Sequence, residues 1–180
     1  MSNSERLIIP FKGLGEGKHE FKFVLTEKFF QVLDYSEFEK GNLSVNVYMD
    51  KKPTHMVFEI EIEGEVNVMC DRCLDFFNTD VEFSGSLIVK ISGKDESDDE
   101  SNEELLVLSP DEFEIDLSHY VYESICLSLP VQRVHPLNSK KQATCDKKML
   151  KILKEHSASA VNTNDEIDPR WDKLKNININ

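Results

Sequence analysis

One stretch decides the fold, residues 55–70, which reads HMVFEIEIEGEVNVMC. Every even position from Met56 to Cys70 is apolar except Gly64, and the odd positions from 59 to 65 are all glutamate. A period of two residues is typical of a β-strand that buries one face. Gly64 interrupts the run without changing its phase, which predicts a single long strand that bends at the glycine.

Alternating stretches on both sides of this strand predict its neighbours in a sheet. Residues 19–25 and 43–49 alternate before it, and residues 81–91 alternate after it. The runs at 56–70 and 81–91 are joined near residues 71–78, which favours an antiparallel pair. Residues 105–108, Leu-Leu-Val-Leu, predict one further short strand.

Two segments have helical spacing. Residues 116–129 place apolar side chains on one face, with Asp116 as the expected N-cap and Pro130 as the stop. Residues 145–156 predict a second helix with one apolar face, formed by Met149, Ile152 and Leu153. The fold class is therefore expected to be α+β. An antiparallel, meander-like sheet of about four to six strands should carry two main helices packed against it.

Composition restricts the environment and the partners of this chain. The 180 residues contain 21 Lys and Arg against 34 Asp and Glu, a net charge of −13. Such an acidic chain is a poor candidate for broad phosphate binding without regard to sequence. No apolar run reaches the roughly 20 residues of a membrane span, and the N-terminus has no apolar segment of signal-peptide length. We therefore expect a cytoplasmic protein with no membrane partner and four reduced cysteines.

The chain is expected to divide into one domain and a tail. Residues 1–156 predict a single α+β domain that carries an acidic mobile loop at 94–104, where seven of eleven residues are acidic. Residues 157–180 predict a polar C-terminal tail that ends in a short amphipathic segment.

Cys70 and Cys73 form a C-x-x-C at the end of the long strand, a spacing that can aim two thiolates at one zinc ion. A structural zinc requires four ligands, and His135 and Cys145 can complete a Cys₃His set. The alternative is that no cofactor binds. Cys70 would then continue the buried phase of its strand, and Cys145 would be the first apolar residue of its helix.

A basic segment stands out against the acidic composition. Residues 133–154 contain a single acidic residue, Asp146. A segregated basic segment is what an RNA or partner contact requires, although the same lysines would also suit an ordinary solvated helix surface. The candidate contact residues are Arg133, Lys140, Lys141, Lys147, Lys148, Lys151 and Lys154.

Motifs of catalysis do not occur in the sequence. The five histidines form no H-E-x-x-H pattern, and neither a P-loop nor G-x-S-x-G is present. We therefore expect a protein that is not an enzyme, and we infer no small-molecule substrate.

Three segments in a specific order resemble the YceD family, the large ribosomal RNA subunit accumulation proteins. They are the run Glu61–Leu74, the helix that ends with Ser124–Pro130, and the tail Asp168–Leu174. The resemblance spans about residues 20 to 177. The commoner form of the family carries further cysteines soon after the Leu-Pro, whereas this chain has Val131–Pro136 there and a single later cysteine, Cys145.

The resemblance implies a function, because the family is linked to accumulation of 23S ribosomal RNA in bacteria and plastids. It implies a non-enzymatic factor that supports 23S RNA accumulation or processing and biogenesis of the large subunit. Ribosomal RNA or a pre-ribosomal particle would be its partner. One alternative is an adaptor that binds a basic ribosomal protein through the acidic loop, and another is a small RNA hydrolase.

Overall fold

The computed structural model describes residues 2–3, 5–91, 105–137 and 144–157. The predicted acidic loop at 94–104, Lys140, Lys141 and nearly all of the predicted C-terminal tail lie outside these residues. The elements, in chain order, are β1 (Ser2–Asn3), β2 (Ile8–Ile9), β3 (Gly17–Leu25), α1 (Glu27–Val32), β4 (Gly41–Lys51), β5 (His55–Met69), β6 (Phe76–Ile91), β7 (Leu105–Leu108), β8 (Ile115–Asp116), α2 (Ser118–Ser128) and α3 (Lys147–His156).

The strands form one large sheet and one small one. The large sheet has the order β1-β3-β4-β5-β6-β7, and the four strands from β3 to β6 make an antiparallel meander. The edge strands β1 and β7 pair in parallel with β3 and β6. Strands β2 and β8 form the small sheet. The predicted α+β class with a meander-like sheet is confirmed.

The β5–β6 hairpin is the longest element of the sheet, and its ladder runs from His55 opposite Lys90 to Met69 opposite Phe76. The even positions of β5 are buried and the odd positions face outward, as the two-residue period predicts. Gly64 has φ +150°, and a Cβ at this position would collide with the Asn42 carbonyl oxygen of β4. The predicted single long strand is confirmed, and Gly64 lies where the β4 backbone approaches it closely.

The main core lies on one face of the sheet, and we call the opposite, solvent-exposed face the outer face. Helix α2 covers the core face with Val121 and Ile125, which are both fully buried. Helix α1 contributes Phe29 and Phe30, whose rings meet edge to face at 5.2 Å. The N-terminal segment also closes over the core, where the Leu7 amide donates to the Ser118 hydroxyl at 2.9 Å.

The helices differ from the sequence prediction mainly at their starts. The N-cap of α2 is Leu117, one residue later than expected, because Asp116 belongs to β8. The Asp116 carboxylate still accepts from the Ser118 amide, at 2.8 Å. Helix α3 begins at Lys147, and Asp146 caps it by accepting from the Lys148 amide. Of the three helices that the structure describes, none has the length and apolar character needed to cross a membrane.

Helix α3 differs from α1 and α2 because it buries none of its residues. The predicted apolar face is only partly covered, since Ile152 and Leu153 remain about half exposed. Met149 and Leu150 are half-buried instead, and they pack on a small cluster around three cysteines. Helix α3 is thus positioned by that cluster rather than by the main core.

Candidate metal centre

The turn that joins β5 to β6, residues 70–75, holds the first two cysteines, and we call it the knuckle. The Cys70 amide donates to the Asp75 carbonyl and the Leu74 amide donates to the Cys70 carbonyl, both at 2.9 Å. These bonds close the turn tightly enough that Leu74 adopts φ +61°, a left-handed conformation unusual for leucine. Both cysteine side chains are buried as a result.

The segment after α2, residues 129–137, comes back to the knuckle, and we call it the return segment. Asp71 fixes it there. The Asp71 amide donates to the Arg133 carbonyl at 2.8 Å, and the Arg133 amide donates to Asp71 Oδ2 at 2.7 Å. The Arg133 guanidinium forms an ion pair with Glu37, with Nη1 and Oε2 3.2 Å apart. The two bonds between Asp71 and Arg133, one to a backbone carbonyl and one to a carboxylate, bring His135 next to the knuckle.

Cys70, Cys73, His135 and Cys145 meet in one place, which we call the Cys₃His cluster. The Sγ atoms of Cys70 and Cys145 lie 3.8 Å apart, and Cys73 Sγ lies 3.4 Å from His135 Nδ1. All four donor atoms lie within 4.8 Å of one another, slightly wider than the separation of about 4 Å that zinc bond lengths require. The three cysteines are buried and the histidine is half-buried.

The polar environment of the two facing thiols differs. Burial alone would raise the pKa of Cys70, but the backbone amides of Arg72, Cys73 and His135 surround its sulfur and lower that pKa to about 6. Burial raises the pKa of Cys145, and the neighbouring Cys70 and Cys73 sulfurs raise it further. A cation among these sulfurs would relieve that repulsion, because it stabilises every thiolate at once.

This donor set fits a metal ion such as zinc. Three thiolates and one imidazole are a common structural zinc set, and the buried cysteines leave little room for water as a ligand. The His135 ring stacks on Phe77 with centroids 4.6 Å apart. Phe77 packs against both the main core and the Cys₃His cluster, so it joins the two.

The family model of the large ribosomal RNA subunit accumulation protein YceD matches residues 58–178 of this chain. That match spans the knuckle, α2, the return segment and α3. The chain belongs to the YceD family. No curated protein and no solved structure gives a significant match.

In this YceD-family chain the structure brings together all four residues that the sequence nominated as ligands. Cys145 belongs to the cluster, and it is not a core residue of α3, because it precedes the helix and faces Cys70. Cys126, the fourth cysteine, is separate: it lies half-buried on α2, and burial raises its pKa.

The basic candidates have different positions. Lys147, Lys148, Lys151 and Lys154 lie on α3, and among them Lys151 forms an exposed ion pair with Glu155 at 3.8 Å. Arg133 lies beside the knuckle and is engaged with Glu37 and Asp71. These contacts anchor the segment after α2, and the RNA or partner contact of Arg133 stays a prediction.

Sequence reasoning missed the residues that hold the cluster in place, namely Asp71, Glu37 and Phe77. Asp71 carried a usable signal, because an acidic side chain between two candidate ligands is well placed to accept from a nearby backbone amide. Glu37 and Phe77 carried none, since their roles depend on contacts across 96 residues and on a ring stack.

Proposed function

We propose that the protein is a non-enzymatic cytoplasmic factor that supports 23S ribosomal RNA accumulation and biogenesis of the large subunit. The family name associates the chain with large-subunit RNA, and one structural observation supports a mode of action. The Cys₃His cluster docks a lysine-bearing helix onto the end of a rigid hairpin. A mobile basic tail would bind RNA weakly, because it would lose conformational freedom on binding, whereas a docked helix has already lost it.

The cluster would hold one zinc ion with a structural role. Zinc bound by four protein ligands keeps no open position for water or substrate, which is the distinction between structural and catalytic sites. The ion would supply the attraction that the apolar contacts of α3 lack. Protein contacts orient the ligands without the ion. Asp71 holds the return segment, and Phe77 holds the His135 ring.

Lys147, Lys148, Lys151 and Lys154 would make the RNA contact. They are spread over two turns of an exposed helix, so several of them can reach consecutive phosphates of one strand. The net charge of the whole chain opposes such binding, and only a segregated basic surface overcomes that repulsion.

Depletion of the protein tests the cellular function. The ratio of large-subunit to small-subunit ribosomal RNA should fall, and re-expression of the full chain should restore it. Re-expression of a Cys70→Ser variant should restore it poorly, whereas Cys126→Ser should restore it fully. An unchanged ratio after depletion would contradict the proposal.

The lysines of α3 are tested by the dependence of RNA affinity on salt. Changing Lys147, Lys148, Lys151 and Lys154 together to Gln should flatten the slope of log K against log salt by up to about 3 units, the value for four lost contacts to a single strand. A matched control changes four exposed lysines elsewhere, Lys12, Lys18, Lys22 and Lys52, to Gln. Both variants lose the same charge, so an equal effect would show that net charge alone matters.

A second candidate function is an adaptor for a basic ribosomal protein. It gains support from the outer face, where six carboxylates crowd the β5–β6 hairpin and Glu63 lies directly opposite Glu82 in the ladder. The six are Glu59, Glu61, Glu63, Glu65, Asp80 and Glu82. Co-purification of one ribosomal protein that survives ribonuclease treatment would favour this function over direct RNA contact.

A further inference from the structure

The outer face of the β5–β6 hairpin changes character toward the knuckle. Its last cross-strand pair is Met69 opposite Phe76, followed by Asn67 opposite Asn78 and then Glu65 opposite Asp80. Paired residues project from the same face with Cβ atoms about 5 Å apart, so these pairs form three consecutive rows. The rows are apolar, amide and acidic, in that order away from the knuckle.

Phe76 is the more exposed member of the apolar row, with 58 % of its surface accessible. Met69 beside it and Leu74 in the knuckle are also exposed, which makes a small apolar surface without a covering element in the described residues. In RNA-binding proteins, unpaired bases stack on exposed aromatic rings such as this one.

The amide row offers hydrogen bonds beside that ring. Asn67 Nδ2 donates to Asn78 Oδ1 at 2.7 Å, and the bond fixes the two amides side by side. Within the part of the chain that the structure describes, Asn67 Oδ1 accepts no hydrogen bond and Asn78 Nδ2 donates none. One acceptor and one donor side by side complement the edge of a nucleobase, in the way that asparagine reads adenine.

A shallow cleft of about 220 Å³ adjoins the amide row, and its lining includes the cationic Lys40. Lys40, Asn42 and Gly41 line one side, and Glu65, Asn67 and Asn78 line the other. Lys40 lies level with the amide row, because its carbonyl accepts from the Asn67 amide at 2.9 Å, one row nearer the knuckle than Asp80. The phosphates of a bound RNA would therefore be attracted to Lys40 and repelled by the acidic row. This difference would orient the RNA strand on the surface.

We propose that this surface binds an unpaired nucleotide of RNA, with the base stacked on Phe76, its edge against Asn67 and Asn78, and its phosphate near Lys40. The inference rests on the proposed function, since it names the class of RNA that the protein would contact: single-stranded rather than helical. The lysines of α3 would hold the flanking backbone, because α3 packs on the same knuckle.

The test uses the full-length chain and a fluorescent RNA of about twelve nucleotides, presented single-stranded or annealed to its complement. The single strand should bind more tightly. Phe76→Ala should weaken that binding by about 5- to 150-fold, the range for loss of one stacked base, and remove the preference. Phe76→Tyr should retain both, because a tyrosine ring also stacks.

Two controls separate stacking from general effects. Phe113→Ala removes a ring of matching exposure, 59 %, from a segment remote from the knuckle, and should leave binding unchanged. A double change of Asn67 and Asn78 to Ala should reduce discrimination among bases at one position while weakening affinity less than Phe76→Ala does.

Equal affinity for both RNA forms, together with an unaffected Phe76→Ala variant, would overturn the inference. Crosslinks from position 76 to a protein instead of RNA in cells would also overturn it. The depletion experiment keeps the two proposals distinct. If depletion lowers large-subunit RNA while Phe76→Ala binds normally, only the nucleotide site fails; if binding is as expected and the ratio is unchanged, only the cellular function fails.

Discussion

The main core and the Cys₃His cluster lie along the same β5–β6 hairpin, yet they hold the chain in different ways. The core buries aliphatic and aromatic side chains of β3 to β6, α1 and α2, and each side chain removed from water adds about 1.5–3 kcal/mol. The cluster consists of three thiols and one imidazole, flanked by the half-buried Met149 and Leu150. The sheet can therefore form from its own burial, whereas α3 buries no residue and is held by its contacts with the cluster.

Gly64→Ala should have the largest effect, because it acts on the sheet that supports everything else. The added Cβ would meet the β4 backbone at Asn42 and Leu43, and φ +150° is unfavourable for alanine. We expect a loss of about 3 kcal/mol or more in the free energy of unfolding, and a melting temperature lower by about 6–12 °C. Thermal unfolding followed by circular dichroism measures the change in melting temperature.

Gly13→Ala is the matched control for that substitution. No atom lies within 4 Å of a Cβ built at Gly13, so the expected change is within about 0.5 kcal/mol. Equal stabilities of the two variants would mean that β4 and β5 can separate at Gly64 without cost, contrary to the contact described.

Cys145→Ser, or a strong chelator, should have an intermediate and local effect. Loss of one ligand should release α3 from the knuckle while the sheet remains folded, because α3 contributes no buried residue to the main core. Hydrogen exchange should show α3 amides losing nearly all protection, with β5 amides little changed.

Cys126→Ser provides the comparison, since Cys126 is outside the cluster and should leave α3 protected after metal loading. If Cys145→Ser melted the sheet and α3 together, the division into a self-sufficient core and a ligand-dependent segment would be wrong.

Leu74→Gly should have the smallest effect, and of opposite sign. Glycine relieves the left-handed conformation of the knuckle, while its greater freedom in the unfolded chain offsets part of the gain. The net change should be a stabilisation of no more than about 1 kcal/mol, read from the urea midpoint. Leu137→Gly, at another exposed leucine whose φ is not positive, should give no gain, and a gain there would remove the case for strain at the knuckle.

The parts of the fold that the sequence predicted are those with a local cause. The two-residue period identified β3 to β6 and their buried faces, because side chains of a strand alternate between a wet and a dry side. The phase kept on both sides of Gly64 correctly predicted one continuous strand. The four candidate ligands were found by counting donors, because a structural zinc site needs four and the chain offers few.

The remaining features depend on contacts between distant residues. Nothing local distinguishes the parallel pairing of β7 from an antiparallel one, and the pairing of β2 with β8 joins residues more than 100 positions apart. The apolar spacing of α3 suggested burial on the sheet, but the length of the return segment and the Asp71–Arg133 bonds direct it to the cluster. The buried positions of β6 are odd-numbered, whereas Phe76 is even-numbered. This difference in phase could have identified Phe76 as an exposed ring.

The order in which the ligands are synthesised follows from their spacing along the chain. Cys70 and Cys145 are 75 residues apart, and Cys73 and His135 are 62 apart. At about 5–20 residues per second, Cys145 is synthesised about 4–15 s after Cys70. For most of that interval the nascent chain has only two of the four ligands, Cys70 and Cys73, at the tip of the β5–β6 hairpin. The docking of α3 is therefore necessarily a late event, made after the sheet exists.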